Sequence, residues 1–240
     1  MTESREFRIL LEIMIPNLFK LLVISHLIIS QARADKPHDS GVVNSSTYEA
    51  VTGVSPDEDH AMWDTFYKSK SNAFGREAVG FLKEHLHEIK KGRAFVPAMG
   101  EGRNAIYLAK NGFTVEGNDL SEVAVDRATN EAKAQKVKIK GIAADLTEYR
   151  YPENYYDFIM VSLFYMGELV PKFRKTLKKG GYIMFYEKLD TGKPLANTSP
   201  DDFFVKTQDL KNSLKDFEIK IFKEYKDHGV DVVGVLARKP

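Results

Sequence analysis

From residue 94 to residue 186 the chain alternates short apolar runs with helical ones, and that rhythm leaves few folds open. Residues 94–96, 113–117, 137–143, 157–163 and 182–186 read as buried strands. Residues 103–110, 121–135 and 168–177 between them read as helices. Ser121 is the N-cap of the second, Asn111-Gly112 is a C-cap signal, and Lys178-Lys179-Gly180-Gly181 stops the third. Strands joined through helices run parallel, in a sheet covered on both faces. The tail breaks the rhythm, because the runs 217–225 and 230–237 are joined only by Lys226-Asp227-His228-Gly229. So short a connection makes an antiparallel hairpin. Ahead of the alternation, Ser55-Pro56-Asp57-Glu58 opens one helix, and residues 75–89 read as another, ended by Gly92. The expectation is a three-layer α/β sandwich with N-terminal helices, its seven-stranded, mostly parallel sheet ending in an antiparallel hairpin.

A chain of 240 residues, 43% hydrophobic, can bury one sizeable core. Its formal charge of +1 gives no global field for nucleic acid, and no stripe of basic and aromatic residues offers a single-strand groove. There is no cysteine, which excludes disulfides, thiolate metal sites and cysteine nucleophiles. His85 and His87, two apart on a helix, face different sides and make a poor metal pair; no metal is expected. Residues 1–34 stand apart. Arg5, Arg8 and Lys20 precede an apolar run from Leu21, and Ala32-Arg33-Ala34 follows it. This is the pattern of a secretory signal peptide cleaved after Ala34, with an uncleaved membrane anchor as the alternative. The run is short of the about 20 residues that a comfortable span needs. Residues 35–56, polar and rich in small residues, read as a linker or arm, and residues 57–240 as the one large domain.

The strand at residue 94 leads into Met99-Gly100-Glu101-Gly102-Arg103-Asn104-Ala105, which opens a helix. Glycines there let the backbone turn tightly and approach a ligand, and the helix N-terminus adds oriented N–H groups. Asp119 ends the next strand, where a carboxylate can accept both hydroxyls of a ribose. Alone, the pattern also fits a dinucleotide fingerprint, so an NAD-dependent oxidoreductase is one reading. Asp145-Leu146 after the third strand, the late position of the loop and the closing hairpin favour S-adenosylmethionine.

Residues 60–240 resemble the class I S-adenosylmethionine-dependent methyltransferases, specifically the TehB-like, tellurite-resistance group of small-molecule enzymes. The residues that carry the resemblance are MWDTFY, AFGREAVGFL, MGEGRNAIYLAKNGFTVEGNDLSEVAVDRA, ADL, YDFIMVSLFY, LKKGGYIMFYE and VVGVLARKP. It implies a Rossmann-like fold in which Gly100, Gly102, Asp119 and Asp145 contact the cofactor, with Ala98 and Leu120 in the same loops. Ala144 and Leu146 would flank the adenine, and Ser162 would lie near the methionine end. The chain departs from the family at Val96 and Ala98, where an acid and a glycine are usual. The lost acid weakens an indirect contact to the methionine amino group, and Ala98 fits if its dihedrals stay negative.

The resemblance implies methyl transfer to a small-molecule acceptor, with a thiol or chalcogen species among the candidates. A cofactor-binding module without turnover is the alternative. Trp63, Tyr67 and Phe74, on the segment that covers the active site in this family, are the substrate candidates, against ordinary helix packing. Tyr165 after the fourth strand and Glu187 at the end of the fifth are the catalytic candidates, against a loop residue and a surface acid paired with Lys188. The missing cysteine nucleophile excludes C5-pyrimidine methylation, and Ser162-Leu163-Phe164-Tyr165 stands where an Asn-Pro-Pro-Tyr-type run would, so no nucleic-acid substrate is expected. The leader implies export or membrane attachment, whereas S-adenosylmethionine is made inside cells. The sequence carries no sign of oligomeric state.

Overall fold

The structure, a computed structural model, describes residues 56–192 and 204–240. The leader at 1–34 and all of the arm before Pro56 lie outside the described residues. The chain divides into two compact units, residues 62–194 with 203–240, and residues 1–61 with 195–202. Of the second, only 56–61 are described, as the start of a helix. Among the described residues no helix is long and apolar enough to cross a membrane.

The first helix, α1, spans Pro56–Ser69, and α2 spans Gly80–His85 with a 3-10 turn, Leu86–Glu88, after it. Then follow β1 (Arg93–Val96), α3 (Arg103–Lys110), β2 (Thr114–Asp119), α4 (Glu122–Ala134), β3 (Ile139–Ala143) and β4 (Tyr156–Ser162). A 3-10 turn at Gly167–Leu169 leads to α5 (Val170–Thr176), β5 (Leu177–Leu189), β6 (Phe204–Val205), α6 (Thr207–Ser213), β7 (Glu218–Asp227) and β8 (Val230–Arg238). The strand order is β3-β2-β1-β4-β5-β8-β7, with β6 pairing on β5. Strands β1 to β5 pair in parallel, and β8 runs antiparallel to both β5 and β7. The three-layer sandwich and the terminal hairpin thus match the sequence expectation.

Helices on both faces explain why β4 reads as a continuous apolar run. Its Phe158, Ile159, Met160 and Val161 are all buried. Ala105 and Leu108 of α3 and Val125 and Ala128 of α4 pack on one face. Phe173 of α5 and Leu210 of α6 pack on the other. Each such side chain removed from water stabilises the fold by roughly 1.5–3 kcal/mol for the large ones. The chain steps from β1 outward to β2 and β3, then returns to lay β4 on the far side of β1. The loops at the carboxyl ends of β1 and β4 therefore leave in opposite directions, and the crevice between them is where such sheets take ligands.

Four elements differ from expectation. The helix read over 75–89 begins only at Gly80. Gly75 has φ +83°, outside a right-handed helix, and the Val79 N–H donates to Asn104 Oδ1 at 3.1 Å. The run Lys178-Lys179-Gly180-Gly181 is an irregularity inside β5 rather than a helix stop. Gly180 takes φ +76°, and its N–H donates to the Lys239 carbonyl at 2.9 Å, so the tail satisfies the kink. Neither β6 nor α6 was legible, because a two-residue strand and a seven-residue helix carry too little periodicity.

Candidate functional site

Between β1 and α3 the backbone visits the left-handed region three times, at Ala98 (φ +45°), Gly100 (φ +54°) and Gly102 (φ +83°). The path is pinned by two hydrogen bonds, Met99 N–H to the Asn118 carbonyl at 2.8 Å and Gly102 N–H to the Met99 carbonyl at 3.0 Å. Gly102 is the N-cap of α3, and a Cβ there would stand 2.8 Å from the Ala128 Cβ on α4. The expectation that Ala98 keeps negative dihedrals is corrected. The tight reversal after β1 holds it in a conformation that costs an alanine about 1–2 kcal/mol.

Asp119, at the end of β2, points at this turn. Its Oδ2 accepts the Gly100 N–H at 2.8 Å and its Oδ1 accepts the Ser121 N–H at 3.1 Å. The carboxyl is buried, and burial pushes its pKa up to about 6 against those hydrogen bonds. Next to it Asn118 Nδ2 donates to the Ala144 carbonyl at 3.0 Å, while its buried Oδ1 has no partner among the described residues. The Ala144 N–H donates to the Asp119 carbonyl at 3.0 Å, which ties the loops after β2 and β3 together. In that second loop Asp145 Oδ1 accepts the Thr147 N–H at 2.7 Å, Leu146 is buried, and Leu120 beside Asp119 is half-buried. Carboxylate oxygens with lone pairs to spare, an unpartnered amide oxygen and a left-handed glycine turn together fit a nucleoside.

Helix α1 crosses this turn. Asp64 Oδ1 accepts the Ser121 hydroxyl at 2.6 Å, and Arg127 Nη1 donates to the Tyr67 carbonyl at 2.6 Å and to Glu101 Oε1 at 3.1 Å. Tyr67 is buried, and its hydroxyl would stand 2.9 Å from a Cβ placed on Gly100. Of the three aromatic substrate candidates, Tyr67 therefore lies against the glycine turn. Trp63 packs on it with ring centroids 6.0 Å apart. Phe74 lines a separate cavity of about 640 Å³, with Val79, Arg103, Leu163, Tyr186 and Lys188.

That cavity opens at the carboxyl edge of β4 and β5. Ser162, the last residue of β4, accepts a hydrogen bond from Asn104 Nδ2 at 2.8 Å. Asn104 also accepts the Val79 N–H, so one buried side chain joins α3, β4 and the loop before α2. Leu163 follows with φ +53°, its N–H on the Tyr186 carbonyl at 2.9 Å. The Tyr186 hydroxyl donates to Asp227 Oδ2 at 2.6 Å. Neither catalytic candidate lines the cavity. The Tyr165 hydroxyl donates to the Asp209 carbonyl at 3.0 Å. Glu187 is not a surface acid: it is 1% exposed, on the opposite face from Tyr186 and Lys188. Burial drives its pKa well up, and the nearby Phe164 N–H offsets a little of this without reaching hydrogen-bond geometry. Asn104 and Arg103 were missed as site residues. Their signal was the pair of polar residues directly after Gly102, where a helix start faces a ligand.

Residues 97–181 match the methyltransferase-domain family. Hemagglutinin 1 of Eikenella corrodens is 22% identical over 207 residues, which are 77% of this chain and 68% of that protein. The probable S-adenosyl-L-methionine-dependent methyltransferase TehB of Haemophilus influenzae is 29% identical over 139 residues, 54% of this chain but 46% of TehB. The crystal structure of TehB from Haemophilus influenzae superposes with a TM-score of 0.60 at 19% identity, covering 74% of this chain and 67% of that one. At that identity the structural likeness is one of fold.

Proposed function

We propose that the chain is a class I S-adenosylmethionine-dependent methyltransferase of the TehB-like kind, and that it methylates a small-molecule acceptor through a soft nucleophile, a thiol or a chalcogen. When bound, S-adenosylmethionine would supply a methyl group on a sulfonium, and an acceptor that has already lost its proton to water, as a thiolate or selenolate has, needs no base from the protein. The residues of this chain have to align the reacting atoms and exclude water. Gly100 and Gly102 let the backbone come close, and Asp119 accepts the ribose hydroxyls. Ala144 and Leu146 flank the adenine, Asp145 between them contacts the cofactor with Leu120 in the neighbouring loop, and Ser162, oriented by Asn104, stands at the methionine end.

The observation that carries the soft-nucleophile reading is the state of the ionisable groups around the cavity. A hard oxygen or nitrogen acceptor needs a base within hydrogen-bond reach. Asp227 is engaged by the Tyr186 hydroxyl, Glu77 lies 3.6 Å from Lys83 Nζ, and His228 is almost fully exposed. The dinucleotide reading is set aside, since the matching family model and the TehB relatives are methyltransferases and the sheet ends antiparallel instead of continuing in βαβ units. Val96 and Ala98 favour a second reading, a module that binds the cofactor without turnover.

The test incubates the full chain with S-adenosylmethionine and a panel of thiols, selenols, amines and alcohols, and measures S-adenosylhomocysteine. Turnover with the thiols and selenols alone is expected. Turnover confined to amines or alcohols overturns the soft-acceptor reading, and cofactor binding without turnover supports the module. For residues 1–34 the proposal is a leader or an anchor, which N-terminal sequencing of the natural protein tests.

A further inference from the structure

The cavity beside the cofactor turn has a charge that methyl transfer does not call for. Its ionic lining is Arg76, Lys83, Arg103 and Lys188 against Glu77 and Asp227, four cations to two carboxylates. Both carboxylates are already engaged, Glu77 by Lys83 at 3.6 Å and Asp227 by the Tyr186 hydroxyl at 2.6 Å. Arg103 opens α3 directly after Gly102 and is only half exposed. Its guanidinium donates to the Phe74 carbonyl, and no carboxylate among the described residues pairs with it. A guanidinium carries five N–H donors, stays charged when buried and matches a carboxylate with two parallel hydrogen bonds. A half-buried cation that lines a cavity with one hydrogen bond and no carboxylate beside it among the described residues is costly unless an anion arrives there.

The rest of the wall is apolar, formed by Phe74, Leu163, Val230 and Val232. A volume of about 640 Å³ suits a small organic molecule. None of Gly100, Gly102, Asp119 or Asp145 lines this space, so its charge does not serve the adenosine. We propose that Arg103 holds the anionic group of the methyl acceptor, which makes the substrate a small carboxylate with an apolar body. This rests on the small-molecule reading above and narrows it.

The experiment measures binding, so that it does not depend on turnover. The full chain is titrated by calorimetry, with and without S-adenosylhomocysteine, using three matched pairs of probes: 3-mercaptopropionate, 4-mercaptobenzoate and 3-phenylpropionate, each against its carboxamide. For at least one pair the carboxylate is expected to bind about ten-fold or more tightly than the amide, the worth of a charge-assisted pair. Arg103→Met should erase that preference, and Arg103→Lys should restore part of it, with the affinity for S-adenosylhomocysteine unchanged in both. Equal binding within every pair overturns the proposal. So does an Arg103→Met variant that loses S-adenosylhomocysteine and keeps the carboxylate preference, because the guanidinium then belongs to the methionine carboxylate. If the variants do not fold, as judged by circular dichroism, the carboxylate-to-amide ratio of the parent alone decides. Absence of any S-adenosylhomocysteine binding would strike the methyltransferase reading itself, while the carboxylate preference without cofactor still reports on Arg103.

Discussion

The Asp119 carboxylate accepts the backbone N–H of Gly100 at 2.8 Å, so the end of β2 and the turn after β1 are held as one unit. The residue that shapes the turn and the residue proposed to take the ribose are therefore coupled. A ligand hydroxyl can donate only to lone pairs that this carboxyl keeps, and it does so best when the group is ionised.

Burial lifts that carboxyl to about 6, which sets a pH window for cofactor binding. The charged form dominates above pH 6, and there the ribose hydroxyls have their acceptor. As pH falls through 6 the group takes up a proton, and affinity for S-adenosylhomocysteine should fall by up to about ten-fold per pH unit. Asp119→Asn should weaken binding by about 1–3 kcal/mol at pH 8 and flatten the pH profile. Calorimetry from pH 5 to pH 8 checks both. A wild-type profile already flat across that range would remove Asp119 from the ribose.

The two glycines of the turn should differ in what they tolerate. Both take positive φ, so alanine at either costs about 1–2 kcal/mol from the backbone alone. At Gly100 the added Cβ meets the tip of the Tyr67 side chain at 2.9 Å, which can swing aside. At Gly102 it meets the Ala128 Cβ at 2.8 Å and the Ala128 backbone at 3.3 Å, neither of which can move without shifting α4. Gly102→Ala should therefore be the more destabilising by roughly a further 1–3 kcal/mol, read from urea midpoints. Equal losses would mean that the α3–α4 contact is looser than the packing indicates.

Much of this was legible in the chain, and the reason is parity and punctuation. The apolar run of β4 and the short link before β8 admit few alternatives, because buried parallel strands and tight hairpins have distinct signatures. The pairing of Gly100 with Asp119 followed from the strand–turn–helix spacing. What spacing could not reach was the direction of side chains across loops. Asn104 bonds Ser162 and Val79, far from it in sequence, and Arg103 bonds Phe74, so their roles exist only after the 74–80 loop has folded back. The misplacement of Glu187 was avoidable. Phe185 and Leu189 belong to one core face and Tyr186 to the other, so strand alternation puts Glu187 opposite Tyr186.

Ala98 is an alanine held where a glycine would be at ease, with φ +45°. Ala98→Gly relieves about 1–2 kcal/mol of left-handed strain and gives back about 0.4–1 kcal/mol through a freer unfolded chain. The variant should gain about 0.5–1 kcal/mol in chemical denaturation. Its affinity for S-adenosylhomocysteine should stay the same or improve, because the turn geometry is retained. A loss of stability would show that the turn takes the strain elsewhere.

Glu187 supplies a stability prediction whose sign is set by pH. Its carboxyl is buried on the apolar face of β5, accepts no hydrogen bond of good geometry among the described residues, and is pushed well above the ordinary carboxylate range. Below about pH 4.3 the carboxyl is protonated in the folded and unfolded chain alike, and it contributes no pH dependence. Above that, the unfolded chain ionises while the folded one holds its proton. The native state then binds more protons, so stability declines as pH rises. Glu187→Gln keeps the shape and cannot ionise. Its melting temperature should match the parent near pH 4 and exceed it as pH rises above that, measured by scanning fluorimetry. A gap independent of pH would show that the carboxyl is hydrated or paired in solution. Undiminished turnover of the same variant would also remove Glu187 from the catalytic candidates, since an amide cannot take up or deliver the proton.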